Sequence, residues 1–324
     1  MLEYAAQSLL HAFIAGVVTE ALVRLWRVGD PDLRVAFRLL PLLFPLGVLP
    51  VFLLLAPARA GEWFADHRAL FVSSRYADVL AAGVRVEVVV LAALGGLGAA
   101  LFARDLLPFL FRHVRGLGAM PCTPEEARGL AREVEDIALG MGTTPPHVVV
   151  LATPAPLLLV RGAWHPTLVV SRGTLDRLDR RERRAALAHE VAHAGRRDPL
   201  LGWILMACRA VTVFNPVCQV LGRLVARETE WRADHLAARL TGEPLALAVG
   251  LLKLFRAVEP AAATPGRALG RRTLDRLVAS GRRAAVESRC RRMLDAPAAE
   301  SVPLGAVRLG LTGVALGILL FFVV

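Results

Sequence analysis

Four stretches of the chain are nearly free of polar residues, and they set its outline. Ala5–Val23 is apolar apart from Gln7, His11 and Glu20, and Leu39–Leu55 is interrupted only by Pro41, Pro45, Gly47 and Pro50. Val79–Phe102 carries Arg85 and Glu87 toward its first end, and Leu304–Val324 has only Arg308 near its start. Each approaches the roughly 20 apolar residues that a helix needs to cross a bilayer. The prolines of the second stretch predict kinks or a partly broken helix packed against neighbours. Gly95, Gly96 and Gly98 in the third offer close helix contacts. His11 and Glu20 read as structural groups, Glu20 lying near an end where it reaches the interface.

Between the third and fourth stretches the pattern changes to that of a water-facing domain. Thr123-Pro-Glu-Glu126 is a helix start with acidic residues in the first turn, and the helix runs to about Leu139. Gly140–Pro146 is turn-rich. Val148–Leu151, Leu157–Val160 and Thr167–Val170 are short aliphatic runs bounded by Pro and Gly, hence strands. Leu157–Gly162 is the expected edge, where an extended substrate could pair with the backbone. Asp179 followed by Glu182 is a capping box, opening a helix that ends near Gly195, before Asp198-Pro199. Leu200–Leu221 is apolar but holds Arg209 and breaks at Asn215-Pro216. Glu243–Val258 is a further amphipathic helix, Ala261–Gly270 a loop able to cover a cleft, and Leu274–Asp295 helical with a solvated or headgroup-facing basic surface.

The candidate chemistry lies in the capped helix. It contains Ala188-His189-Glu190-Val191-Ala192-His193, an HExxH segment. Residues four apart share a helix face, so His189 and His193 can aim imidazole nitrogens at one ion, with Glu190 beside it. Two His ligands and a carboxylate placed to take a proton from water are the parts of a catalytic zinc site. Downstream, Glu230 and Asp234 are again four apart on a helical pattern. Glu230 completes a His-His-Glu set with an open fourth position, and Asp234 can hold a ligand histidine in its tautomer. Glu228 is the competing carboxylate, pointing off Asp234's face. If Glu230 is a ligand, 200–221 must return to the side it left, as a re-entrant or interfacial helical pair. His235, Arg232 or a distant Tyr are open choices for stabilising an oxyanion.

HExxH followed by ExxxD resembles the gluzincin metallopeptidases, and in particular two membrane families. One is the antirepressor type typified by the β-lactam-sensing BlaR and MecR transducers; the other is the HtpX and CAAX-prenyl-protease type. Thr167–Leu175, the His189 helix, Arg197-Asp198, Phe214-Asn215-Pro216 and Glu230-to-Asp234 fall in the order of the antirepressor type, over roughly Thr144–Pro297. The resemblance implies a zinc endopeptidase holding one ion through His189, His193 and Glu230, with Glu190 and Asp234 as catalytic residues. The expected partners are a protein or peptide substrate, a transcriptional repressor or the peptidase itself, and the lipid bilayer. A signal-relay receptor built on a metal-stabilised peptidase fold and an HtpX-like quality-control protease are the alternatives. The β-lactam transducers carry an extracellular sensor after their last span. This chain ends at Val324, which leaves a stimulus to the short outer loop near Gly61–Asp78.

Composition agrees with a membrane protein bearing one modest water-facing domain: 324 residues, 55% hydrophobic, 21% charged, mean hydropathy +0.51. The net charge of +11 comes almost wholly from arginine, Lys253 being the lone lysine. Without a basic stripe interleaved with aromatics, no nucleic-acid partner is expected. Cys122, Cys208, Cys218 and Cys290 form no CxxC pair, and neither a disulfide framework nor a second metal site is expected. Arg24, Arg27, Arg34 and Arg38 follow the first span, and Arg104, Arg112 and Arg115 the third, which puts both groups in the cytoplasm. The expected fold is a mainly α membrane protein with an α+β gluzincin domain, its small sheet ahead of the zinc helix. The expected domains are a three-span membrane region at 1–103, a cytoplasmic peptidase domain at 104–303 that includes 200–221, and a last transmembrane helix at 304–324. A bacterial inner (plasma) membrane is the expected location; the sequence sets no oligomeric state.

Overall fold

The computed structural model describes residues 2–70, 72, 80–81, 84–114, 124–258, 283–293 and 305–323. The chain is mostly helical and divides into two compact units. One comprises Met1–Leu110, Gly202–Thr229 and Ala299–Val324, the other Phe111–Leu201 and Glu230–Ala298.

The first unit is built on apolar helices. Helix α1 (Leu2–Leu25) packs against α2 (Pro31–Leu43) and against α13 (Gly305–Phe321). Among the described residues two helices, over Tyr4–Leu25 and Val88–Leu106, are long and apolar enough to cross a membrane. The Leu39–Leu55 stretch is helical throughout but irregular, as its prolines predict. It is divided among α2, a π-helical turn at Phe44–Val48 and a short α3 (Leu49–Leu55). Pro41, Pro45 and Pro50 each lack the N–H that would continue the α ladder, and α2 starts earlier than expected because Asp30 caps it and Pro31 occupies its first turn. Helix α4 (Glu62–His67) interrupts the stretch expected to be a loop. The third apolar helix, α5 (Val86–Val114), begins seven residues later than its apolar run, after the two-residue strands β1 (Leu80–Ala81) and β2 (Val84–Arg85). Helix α13 covers 17 residues of the Leu304–Val324 run.

Several charged groups in this unit are paired. Glu20 accepts from Arg38 at 3.0 Å and pairs with Arg24, and buried Glu228 is gripped by Arg34 at 3.1 Å and by Arg38. Asp105 holds both Arg209 (2.6 Å) and Arg223 (2.7 Å). His11 is buried, its Nε2 3.0 Å from the Val323 carbonyl. The apolar run at 200–221 is a helical pair broken where the sequence predicts. Helix α9 (Asp198–Val211) ends before Asn215, whose Oδ1 accepts from the Val217 and Cys218 N–H groups to start α10 (Pro216–Thr241). Asn215 Nδ2 also donates to the Ser8 carbonyl and hydroxyl. A Cβ at Gly98 would collide with the Val213 carbonyl, so α5 meets this corner through a bare backbone.

The second unit has a three-stranded mixed sheet in the order β3–β5–β4, with β3 (His147–Leu151) parallel to β5 (Thr167–Ser171) and β4 (Leu158–Arg161) antiparallel to it. The strands fall within a residue or so of their predicted places, and β4 is an edge, as expected. Helix α6 (Pro124–Gly140), helix α8 (Arg180–Gly195), helix α11 (Pro244–Val258) and the end of α10 close over one face. Val134, Ile137, Leu168, Leu187, Val191 and Leu247 are the centre of that core. Ala261–Gly270 lies outside the described residues, as does Leu274–Asp295 apart from α12 (residues 283–293).

Candidate metal centre

Helix α8 is a core helix throughout its second half: every residue from Ala185 to Ala194 is buried. Three alanines at 185, 188 and 192 make that possible, since they let neighbouring elements close over it without excluded volume. Its start is fixed by the capping box that the sequence predicts. Asp179 accepts from the Arg181 and Glu182 N–H groups, and Glu182 accepts from the Asp179 N–H at 3.0 Å. Those backbone hydrogen bonds, the one from Glu182 foremost, hold the Asp179 carboxyl below its usual range. Buried Glu182 is met from α11 by Lys253, whose Nζ lies 2.6 Å from both of its oxygens.

On this helix His189, Glu190 and His193 are all buried, which for polar side chains demands partners. The two rings stand edge to face with centroids 4.7 Å apart. Each turns its Nδ1 outward to a carboxylate: His193 donates to Asp198 at 2.7 Å, and His189 lies 2.9 Å from Asp234 Oδ1. Each turns its Nε2 inward, and the two inner nitrogens are 3.1 Å apart. Glu230 faces both, one oxygen 3.7 Å from each Nε2, so that the three residues offer ligand atoms within 4.8 Å of one another. Asp198 is in turn paired with Arg232, and Asp234 with Arg289 of α12 at 2.6 and 2.8 Å. Arg289 also reaches Glu230 at 2.9 Å.

These residues fit a divalent cation. A histidine that donates from Nδ1 presents a bare lone pair at Nε2. Two such lone pairs 3.1 Å apart repel each other unless a cation or a shared proton lies between them. Glu190, Asp198, Glu230 and Asp234 against Arg232 and Arg289 leave a formal charge of about −2 with neutral imidazoles, the charge one such ion neutralises. Among the described residues buried Glu190 Oε2 meets no hydrogen-bond partner, which suits it to serve a reactant. Burial pulls His193 toward the neutral form, but its hydrogen bond to Asp198 and the charge of Glu230 outweigh that and raise its pKa. Asp234 is held below the usual carboxylate range because Arg289 and His189 outweigh its burial.

The five residues singled out from sequence, His189, Glu190, His193, Glu230 and Asp234, thus meet in one place. Glu228 does not join them; it belongs to the Arg34–Arg38 pair. Of the oxyanion candidates, Arg232 is engaged by Asp198, His235 stands beside Trp231, and Tyr4 donates to the Pro45 carbonyl in the first unit. Two groups escaped the sequence reading. Asp198 reads there as a helix stop, although its five-residue spacing from His193 was a usable signal. Arg289 sits in a basic run that reads as a solvated surface.

Comparison with known proteins points the same way. Residues 112–242 match the profile of the BlaR1 peptidase M56 family. A protease HtpX homolog of Acidiphilium cryptum is 29% identical over 230 residues, covering 60% of this chain and 77% of that protein. The protease HtpX homolog of Pyrococcus furiosus is 28% identical over 169 residues, covering 41% and 58%, and that of an Arthrobacter species 27% identical over 186 residues, covering 48% and 64%. The chain therefore spans less than two thirds of the length of two of these three relatives. Residues 112–242 are thus similar to the M56 peptidases and the chain is similar to HtpX proteases, the two families whose motifs the sequence resembles.

Proposed function

We propose that this protein is an integral-membrane zinc endopeptidase that hydrolyses peptide bonds of a protein substrate at the cytoplasmic face of the membrane. The observation that carries the reading is the convergence of His189 Nε2, His193 Nε2 and a Glu230 oxygen, with both outer imidazole nitrogens held by carboxylates. The chemistry that one zinc ion supplies in such a place is Lewis-acid activation of water and of a peptide carbonyl. Two imidazoles and a carboxylate suit zinc, and the same set takes other divalent ions as well.

The chain's own residues do the rest. His189, His193 and Glu230 hold the ion. Asp234 and Asp198 keep the two imidazoles neutral at Nε2 and fixed in direction. Glu190 accepts a proton as water oxygen bonds to the scissile carbonyl carbon, then delivers it to the amine as the C–N bond breaks. The edge strand β4, paired on one side only among the described residues, supports an extended substrate by backbone pairing. The two apolar helices and the arginines that follow them support membrane insertion with residues from about Arg104 onward entering the cytoplasm.

The M56 match favours a regulatory substrate, a repressor or the peptidase itself; the HtpX relatives favour quality control of membrane proteins. Both use the same chemistry. The test joins metal content and cleavage in detergent-purified wild type and Glu190→Gln. We expect one zinc per chain in both, with peptide or self-cleavage lowered ~10²–10⁴-fold in the variant. Equal cleavage in both would leave a metal-stabilised relay domain, and no metal in either would end the enzyme reading.

A further inference from the structure

Helix α12 reads from sequence as a solvated basic surface, and two of its arginines behave so. Arg291 pairs with Glu287 one turn away, both exposed, and Arg292 lies 5.3 Å over the Trp231 ring. Arg289 instead turns inward. Its Nε and Nη2 take both oxygens of Asp234, a residue with no solvent exposure, at 2.8 and 2.6 Å. Its Nη1 takes Glu230 Oε2 at 2.9 Å, and Nη2 passes 3.3 Å from His189 Nε2. One planar guanidinium therefore touches the third metal ligand, the carboxylate behind the first ligand, and the first ligand itself. Only an arginine has a fork that can satisfy a carboxylate along one edge and reach a second from the other.

We propose that Arg289 is a positioning residue of the metal centre, clamping Asp234 and Glu230 in the directions from which His189 and Glu230 meet the ion. The inference rests on the zinc-peptidase reading. Without the clamp Asp234 loses its two hydrogen bonds from Arg289, and the carboxylate that faces His189 Nδ1 loses its anchor. Glu230 loses its 2.9 Å contact to the guanidinium and with it one constraint on its direction. A purely electrostatic role would have the opposite sign: removing a positive charge close to a cation would tighten its binding. The sign of the change therefore separates the two.

The test uses the full-length protein in detergent, with wild type, Arg289→Gln and Arg289→Lys. Zinc affinity is measured by competition with a chromophoric chelator, the ligand field by the visible spectrum of the cobalt-loaded protein, and turnover separately as kcat and KM. Arg289→Gln is expected to bind zinc ~10–100-fold more weakly, with an altered cobalt spectrum and a lowered kcat. Arg289→Lys, which keeps the charge and loses the fork, is expected between the two. Lys253→Met serves as the control for stability: it is expected to lower the melting temperature and leave the cobalt spectrum as in wild type. Unchanged or tighter zinc binding in Arg289→Gln overturns the clamp, as does a raised KM with zinc affinity intact, which would make Arg289 a substrate contact. Those results would leave the zinc peptidase standing. Wild type that binds no zinc would remove both.

Discussion

His193 and Asp198 show how much of this centre depends on single hydrogen bonds. The 2.7 Å contact leaves the imidazole with its proton on Nδ1, and Arg232 occupies the other carboxylate oxygen. Asp198→Asn keeps the shape but must point an N–H₂ either at His193 Nδ1–H or at the Arg232 guanidinium, and each choice sets donor against donor. We expect zinc affinity to fall ~10–100-fold and the fold to survive, measured by chelator competition alongside circular dichroism. Unchanged affinity would show that the Asp198 contact does not orient the ligand. At this scale the sequence was readable where chemistry repeats at helical spacing. His189 with His193, and Glu230 with Asp234, each lie one turn apart, so periodicity alone put each pair on one face. Arg289 meets Asp234 across 55 residues and follows a stretch of chain with no pattern that ties the two. Nothing local marks such a pair, because an inward arginine and a solvated one have the same neighbours in sequence.

The elements divide along the same line. The strands and the metal-site helix begin and end close to where Pro, Gly, Asp179 and Glu182 predict, since caps and breakers act within one turn. Leu39–Leu55 keeps a helical course but loses its regularity, because hydropathy counts prolines as apolar residues whereas the backbone counts them as missing donors; a π-helical turn joins α2 to α3. Helix α5 departs at its start, where the apolar run opens with strand residues rather than helix. The stability of α8 itself is argued from Lys253. Both of its contacts to Glu182 are 2.6 Å long, while Glu182 is buried and engaged in the capping box. Lys253→Met would leave that carboxylate with one backbone donor. Because Lys253 is itself partly exposed, the loss is expected to be about 1–2 kcal/mol, below that of a fully buried pair. The midpoint of thermal or denaturant unfolding checks it; no shift would mean that solvent replaces the lysine.

For the molecule as a whole, the open matter is which way it faces the bilayer. The helix over Val88–Leu106 is lined by Val88, Val89, Val90 and Leu97, all exposed, as a helix surrounded by lipid would be. Buried arginines in the first unit are each matched to a carboxylate or a carbonyl, Arg38 to Glu20 and Glu228, Arg209 to Asp105, Arg59 to the carbonyls of Leu320 and Phe321. A charge so placed is neutralised where it stands and need not itself reach water. The arginines that count for orientation are therefore the flanking ones, at 24 and 27 and at 104, 112 and 115. On the proposed orientation, which follows the positive-inside rule, both groups would face the cytoplasm, with Glu62 of α4 outside and Thr144, ahead of the sheet, inside. Single cysteines at these two exposed positions, in a chain whose own cysteines are replaced by serine, test this in intact cells. A membrane-impermeant maleimide is expected to label Glu62→Cys at once and Thr144→Cys only after the cells are opened. The reverse pattern would move the His189–His193–Glu230 centre to the outer face and remove cytoplasmic repressors from its possible substrates. Labelling of both in intact cells would contradict membrane insertion of the intervening helix, and the integral-membrane reading would fall with it.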